Sequence, residues 1–125
     1  MQGFKKTSAV TPKQILFGTA PMMSVGVVVS SSDIIANSEG KKIVKAGTPL
    51  VGSLEARNTA FTVAGSDASD IAGVLLHDVD VTSGNNNGTL LIFGFVNLNN
   101  LDDDVISKLT SNAKKLLSGK ITFLK

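Results

Sequence analysis

The run Asp70-Ile-Ala-Gly-Val-Leu-Leu-His-Asp-Val-Asp-Val-Thr82 and the segment Thr89-Leu-Leu-Ile-Phe-Gly-Phe-Val-Asn-Leu98, with an Asn/Gly-rich turn between them, restrict the fold more than any other part of the chain. Successive strand residues point to opposite sides, so Val74, Leu75 and Leu76 place apolar side chains on both faces of an extended segment. A strand covered on both faces belongs inside a layered or closed β structure. From Val79 to Val81 the pattern alternates around Asp80, so the far end of the strand is expected to be covered on one face only. Ser83-Gly-Asn-Asn-Asn-Gly88 offers residues that tolerate positive φ and predicts a hairpin loop. Leu90 to Val96 then returns as the partner strand, and Gly94 within it predicts a bulge or a close backbone approach.

The rest of the chain adds shorter elements. Val25-Gly-Val-Val-Val29 is β-branched and predicts a strand. Asn37-Ser-Glu-Gly40 is a turn signal, and Lys41 to Lys45 alternates as a short strand would. Pro49, within Ala46-Gly-Thr-Pro-Leu-Val-Gly52, cannot donate to a central ladder and is expected at an edge or corner. An irregular connection from Ser53 to Ser69 holds a short strand near Thr59 to Val63. A helix is expected over about residues 102–117, where Val105, Ile106, Leu109, Ala113, Leu116 and Leu117 share one stripe. Asp102, Asp103 and Asp104 at its start and Lys114 and Lys115 near its end suit the helix dipole, and Gly119 is placed to end it. Lys120-Ile-Thr-Phe-Leu-Lys125 alternates as a final strand. The expectation is a mainly β (α+β) chain. An extended N-terminal arm, residues 1–20, precedes one compact β-sandwich or barrel-like domain, residues 21–125, with a single helix in its C-terminal half.

Composition narrows the function. A chain of 125 residues can bury one core without staples, and the absence of cysteine excludes a disulfide framework, thiol catalysis and thiolate-ligated metals. Twelve basic against ten acidic residues leave a net charge of +2, too balanced for a nucleic-acid face. Charged residues make up only 18% against 42% hydrophobic, so Ser, Thr, Asn and Gly must finish the surface, as in subunits that bury much of themselves against partners. Ile15 to Val29 follows three lysines like a signal-peptide apolar region. It is interrupted by Gly18, Pro21, Ser24 and Gly26 and is too short to span a bilayer, so a cytosolic product with no membrane partner is expected.

Reactive groups are few. His77, the sole histidine, neighbours Asp78, but on a strand the two would point apart. Asp78-Val-Asp-Val-Thr-Ser-Gly84 has the alternating oxygens of a calcium loop, yet Ser83 stands where the loop needs glycine and Thr89 where it needs glutamate. The three aspartates at residues 102–104 are accounted for by helix capping. No phosphate loop or nucleophile elbow occurs. No catalytic, cofactor-binding or metal residues are therefore assigned, and a non-enzymatic role is expected. Phe4, Ile15, Leu16, Phe17, Met22 and Met23 exceed what a free arm requires. Either they lie on another protein, adding a strand or filling a groove, or residues 15–23 pack on their own core.

Ala46-Gly-Thr-Pro-Leu-Val-Gly52, Ile71-Ala-Gly-Val-Leu-Leu-His-Asp-Val-Asp-Val-Thr82 and Phe93-Gly-Phe-Val-Asn97 resemble the small head decoration and head fiber proteins of tailed bacteriophages. The resemblance spans roughly residues 43 to 117. It implies a β-rich domain, usually a homotrimer, that docks on the outside of the capsid and stabilises it, with an N-terminal arm reaching the major capsid protein. On that reading Phe4, Lys5, Lys6, Ile15, Leu16, Phe17, Met22 and Met23 are the capsid-contact candidates, and the protein is made in the host cytoplasm and ends on the virion exterior. No heptad or fibrous repeat is present, which favours decoration over a full fiber. The alternatives are the base domain of a head fiber or a carbohydrate-adhesion module, and a small enzyme built around His77.

Overall fold

The computed structural model describes residues 14–18 and 21–125. Eight strands and two short helices follow in chain order: β1 (Met23–Val29), β2 (Ile43–Val44), β3 (Pro49–Val51), β4 (Thr62–Val63), β5 (Gly73–Leu75), β6 (Val79–Asp80), β7 (Asn86–Asn97), α1 (Asp103–Lys108), α2 (Ser111–Leu116) and β8 (Ile121–Leu124). The main sheet has the order β1-β7-β5-β3-β4, antiparallel throughout, and β8 joins β7 in parallel. β2 and β6 form a separate antiparallel pair.

The main sheet curls until its two ends meet at Phe61. The Phe61 amide donates to the Val28 carbonyl at 2.7 Å, and the Ser30 amide donates to the Phe61 carbonyl at 2.8 Å. Phe61 immediately precedes β4, so these bonds join the last strand of the sheet to the first. The result is barrel-like, and closure removes part of the exposed edge that an open sheet would present.

Two cores result. Inside the curl, Val27, Val29, Leu50, Phe61, Leu75 and Leu90 pack together. On the other face, Val74, Leu76, Leu91 and Val96 pack under Val105, Leu109, Ala113 and Leu117. Val74 and Leu76 thus belong to one core and Leu75 to the other, as the two-faced run requires. Val79 and Val81 are buried and Asp80 exposed, which matches the expected one-sided end. Gly73 has no room for a side chain, because a Cβ there would lie 2.2 Å from the Leu91 carbonyl oxygen.

Four expectations are corrected. The strand anticipated over Ile71 to Val81 is broken at Leu76–Asp78, and its end turns away to pair with β2. Asp78 explains the break: its Oδ1 accepts the Ala46 amide at 2.7 Å and draws the chain toward β2. Pro49 lies between two strands rather than at an edge, opposite Val74. As the first residue of β3 it owes no inner ladder donation, while its carbonyl accepts the Ala64 amide at 2.9 Å. The single helix over 102–117 is two, divided at Leu109-Thr110. Leu109 leaves helical geometry (φ −85, ψ 67), and the Thr110 hydroxyl accepts the Ala113 amide as the cap of α2. Finally, residues 15–17, expected within the arm, belong to the sheet: Leu16 bridges Val96, and Ile15 is fully buried.

α2 ends at its Leu117 cap, Gly119 takes φ +85 in the turn that follows, and β8 forms where the alternating tail was read. The irregularity expected near Gly94 is present, since the β1–β7 register shifts between Met23 and Ser24, opposite Phe93 and Leu91.

Candidate functional site

The register shift has a surface consequence. An extra residue in β7 leaves Phe93 opposite Met23, and both are exposed, at 41% and 58%. One step along the same strand, the Phe17 amide donates to the Phe95 carbonyl at 2.8 Å, and Phe17 is 47% exposed. Three large apolar side chains therefore stand in water around one irregular stretch of β7. Isolated exposed apolar residues are ordinary on protein surfaces, but a group beside a bulge forms a patch that can be covered by a partner.

A second feature lies on the outer side of β1. Among the described residues, no strand pairs with that side between Ser24 and Val27. A groove of about 430 Å³ runs there between Gly26–Val28 and the 54–58 loop. Arg57 reaches across and donates from Nη1 to the Gly26 carbonyl at 2.9 Å. A Cβ at Gly26 would meet nothing within 4 Å, so the backbone is open to approach.

The anticipated contact residues divide. Phe4, Lys5 and Lys6 lie outside the described residues. Ile15 is a core residue, and Leu16 and Met22 pack half-buried against the same core. Phe17 and Met23 are exposed. For Ile15, Leu16 and Met22, packing on the chain's own core accounts for the apolar character. For Phe17 and Met23 it does not. Phe93, Leu54 and Arg57 complete the surface and were not singled out from sequence. Phe93 sat in a run that reads as buried strand, and only the extra residue in β7 turns it outward.

The polar candidates have structural partners. Asp78 bonds Ala46, and Asp80 Oδ1 accepts the Thr82 amide at 2.9 Å. The Thr82 hydroxyl, with the amide, holds the Asp80 carboxyl below its ordinary value of 3.8. Thr82 in turn accepts the Lys42 amide at 2.8 Å, so the residues resembling a calcium loop instead tie β6 to β2. Asp102 caps α1 without a side-chain cap hydrogen bond. Asp102 and Asp104 both reach Lys45 Nζ, at 3.2 Å each. Their hydrogen bonds, that from Lys45 to Asp104 foremost, raise the Lys45 ammonium above its ordinary 10.5. His77 is exposed. Among the described residues there is no group of three His, Cys, Asp or Glu side chains able to hold a metal, and no helix is long and apolar enough to cross a membrane.

The motif segments read separately in sequence are one unit in space. The Ala46 amide bonds Asp78, the Gly47 amide donates to the Leu75 carbonyl at 2.6 Å, and the Leu75 amide donates to the Thr48 carbonyl at 2.9 Å. Gly47 adopts φ +93, and a Cβ there would lie 2.5 Å from the Leu101 side chain. Its glycine is thus required by conformation and by packing.

No protein-family model matches the chain, and no curated protein matches it in sequence.

Proposed function

We propose that this protein is a structural component of a tailed-phage virion that binds the outer surface of the capsid and stabilises the head. The class of function comes from the resemblance of residues 46–52, 71–82 and 93–97 to head decoration proteins. The observation that carries the reading further is the apolar patch of Phe17, Met23 and Phe93 beside the open side of β1. A rigid, curled sheet with such a patch suits docking on another protein through side-chain burial and backbone hydrogen bonds. Cement proteins need no chemistry. Many modest contacts, repeated by the symmetry of a shell, add through avidity to resist internal pressure. The partner is then the major capsid protein, with Phe17 and Met23 as contact residues and Phe93 added to them.

Cosedimentation with undecorated capsids tests this. The full chain should pellet with capsids, and Met23→Lys combined with Phe93→Lys should release it without lowering its own melting temperature. Removal of residues 1–13 measures the share of the arm while leaving Ile15 in the core. Failure of the full chain to cosediment would sink the proposal.

A further inference from the structure

We propose that Asn87 is a modification site, where attack by the Gly88 amide converts the side-chain amide to a carboxyl group, and that pairing of β1 with β7 holds the reaction back. Asn87 is the one asparagine of the chain that precedes a glycine. Glycine has no Cβ to shield its amide nitrogen and the freest backbone, so this pair closes a five-membered ring on itself more readily than any other asparagine pair. Of the three consecutive asparagines, Asn85 accepts the Ser31 amide, and Asn86 accepts the Asn87 amide and donates to the Asp80 carbonyl. The Asn87 side chain is exposed and makes no hydrogen bond among the described residues. Gly88 faces the inner core, where a Cβ would lie 2.9 Å from both Val29 Cγ2 and Val79 Cγ2, so packing selects glycine there. Asn87 faces the opposite side and lines the groove beside Arg57.

The sheet restrains the attacking nitrogen. The Val28 carbonyl accepts the Phe61 amide, so Val28 turns its polar groups away from β7 and Val27 turns its own toward it. Val27 stands opposite Gly88, and the two exchange backbone bonds. The Gly88 N–H is thus held by the Val27 carbonyl, while the extended backbone at Asn87 keeps that nitrogen away from the side-chain carbon. Both restraints go when β1 lifts from β7. The Gly88 nitrogen then bonds to Asn87 Cγ, the Cγ–Nδ2 bond breaks, and the Gly88 amide proton leaves with Nδ2 as ammonia. Water, the sole co-reactant, adds to either carbonyl of the cyclic imide, and nothing is oxidised or reduced. Opening at Cγ gives aspartate. Opening at the main-chain carbonyl leaves Gly88 joined through the side chain, with one more atom in the backbone. That longer backbone cannot restore both the Val27 pairing and the fit of Gly88 against Val29 and Val79, so β1 does not close again in its register. The site records openings of β1 irreversibly, and it stands independently of capsid binding.

Peptide mapping of the full chain aged in mildly alkaline buffer, with isoaspartate read by enzymatic methylation, provides the test. In strong urea Asn87 should be converted ahead of every other asparagine. In the folded protein its conversion should be about tenfold or more slower, because only the opened fraction reacts. Urea below the unfolding midpoint should quicken it, and so should Phe61→Ala, which weakens the closure that holds β1 but should leave the rate in strong urea unchanged. Asn87→Gln should remove the signal at this position in both states. Equal rates in the folded and unfolded chain, earlier conversion of another asparagine in strong urea, or a folded rate indifferent to mild urea would each overturn the inference.

Discussion

The amide of Ala46 donates to Oδ1 of Asp78 at 2.7 Å, joining the turn before β3 to the break after β5. Ala46 is 2% exposed, so its N–H has little water to turn to if that carboxylate is lost. This bond separates β5 from β6. It lets one apolar run serve the main sheet first and the β2–β6 pair afterwards.

Asp78→Ala should therefore destabilise the protein by about 1–2 kcal/mol, the usual cost of leaving a buried donor unsatisfied. Asp78→Asn keeps an acceptor oxygen and should cost less than half as much. Urea unfolding of the two variants measures the difference. Equal losses would show that charge, rather than the hydrogen bond, is what Asp78 supplies.

Gly73 and Gly65 form a matched pair of tests. A Cβ at Gly73 would lie 2.2 Å from the Leu91 carbonyl oxygen, whereas one at Gly65 meets nothing within 4 Å. Gly73→Ala must push β5 off β7 and should cost roughly 3 kcal/mol or more, in the range of overpacked cores. Gly65→Ala should stay within about 0.5 kcal/mol of the parent, as open surface changes do. Thermal melts of both proteins settle the contrast.

Phe61 both fills the inner core and carries the two backbone bonds that close the sheet. Phe61→Ala removes the ring but keeps those bonds, and should cost about 3–5 kcal/mol through the cavity left behind. Hydrogen exchange should then quicken first at the Phe61 and Ser30 amides, which lie at the closure. Uniform loss of protection across the sheet would argue that the seam is no weaker than the rest.

Lys45 predicts a pH dependence. Its folded pKa is raised above 10.5 by Asp104 and Asp102. Its contribution is therefore complete below 10.5 and disappears as pH rises through the higher folded value. The side chain is 40% exposed, so the size is under about 1 kcal/mol. The stability difference between the parent and Lys45→Met, from urea midpoints, should be constant near neutrality and close only in strong alkali. A difference that closes on acidification to about pH 6 would contradict this assignment.

Much of the architecture was legible in local patterns. Strands β1, β5 and β8 and residues 90–96 of β7 follow from alternation, β-branching and turn residues, which act over a few positions, whereas Asn86, Asn87 and Gly88, read as hairpin loop, extend β7 by pairing with Val29, Val28 and Val27. The two-faced burial of Val74, Leu75 and Leu76 was legible for the same reason. The division of the helix was less so. Leu109 and Thr110 fit a helical stripe by type, and the cap that Thr110 makes to Ala113 competes with continuation in a way that periodicity does not register. Pro49 misled because the missing N–H excludes a central ladder only within a strand, and not at its first residue.

The candidate surfaces depended on distant contacts. A mainly β chain, the apolar character of residues 15–23 and the scarcity of reactive groups follow from composition and short-range spacing, which are properties of the chain alone. Which of those apolar residues is core and which is surface was decided only by tertiary structure. Ile15 is buried because residues 15–17 lie along the end of β7, while Met23 and Phe93 are exposed because one extra residue in β7 displaces them together. Pairing between segments some seventy residues apart sets that register, and no local pattern encodes it.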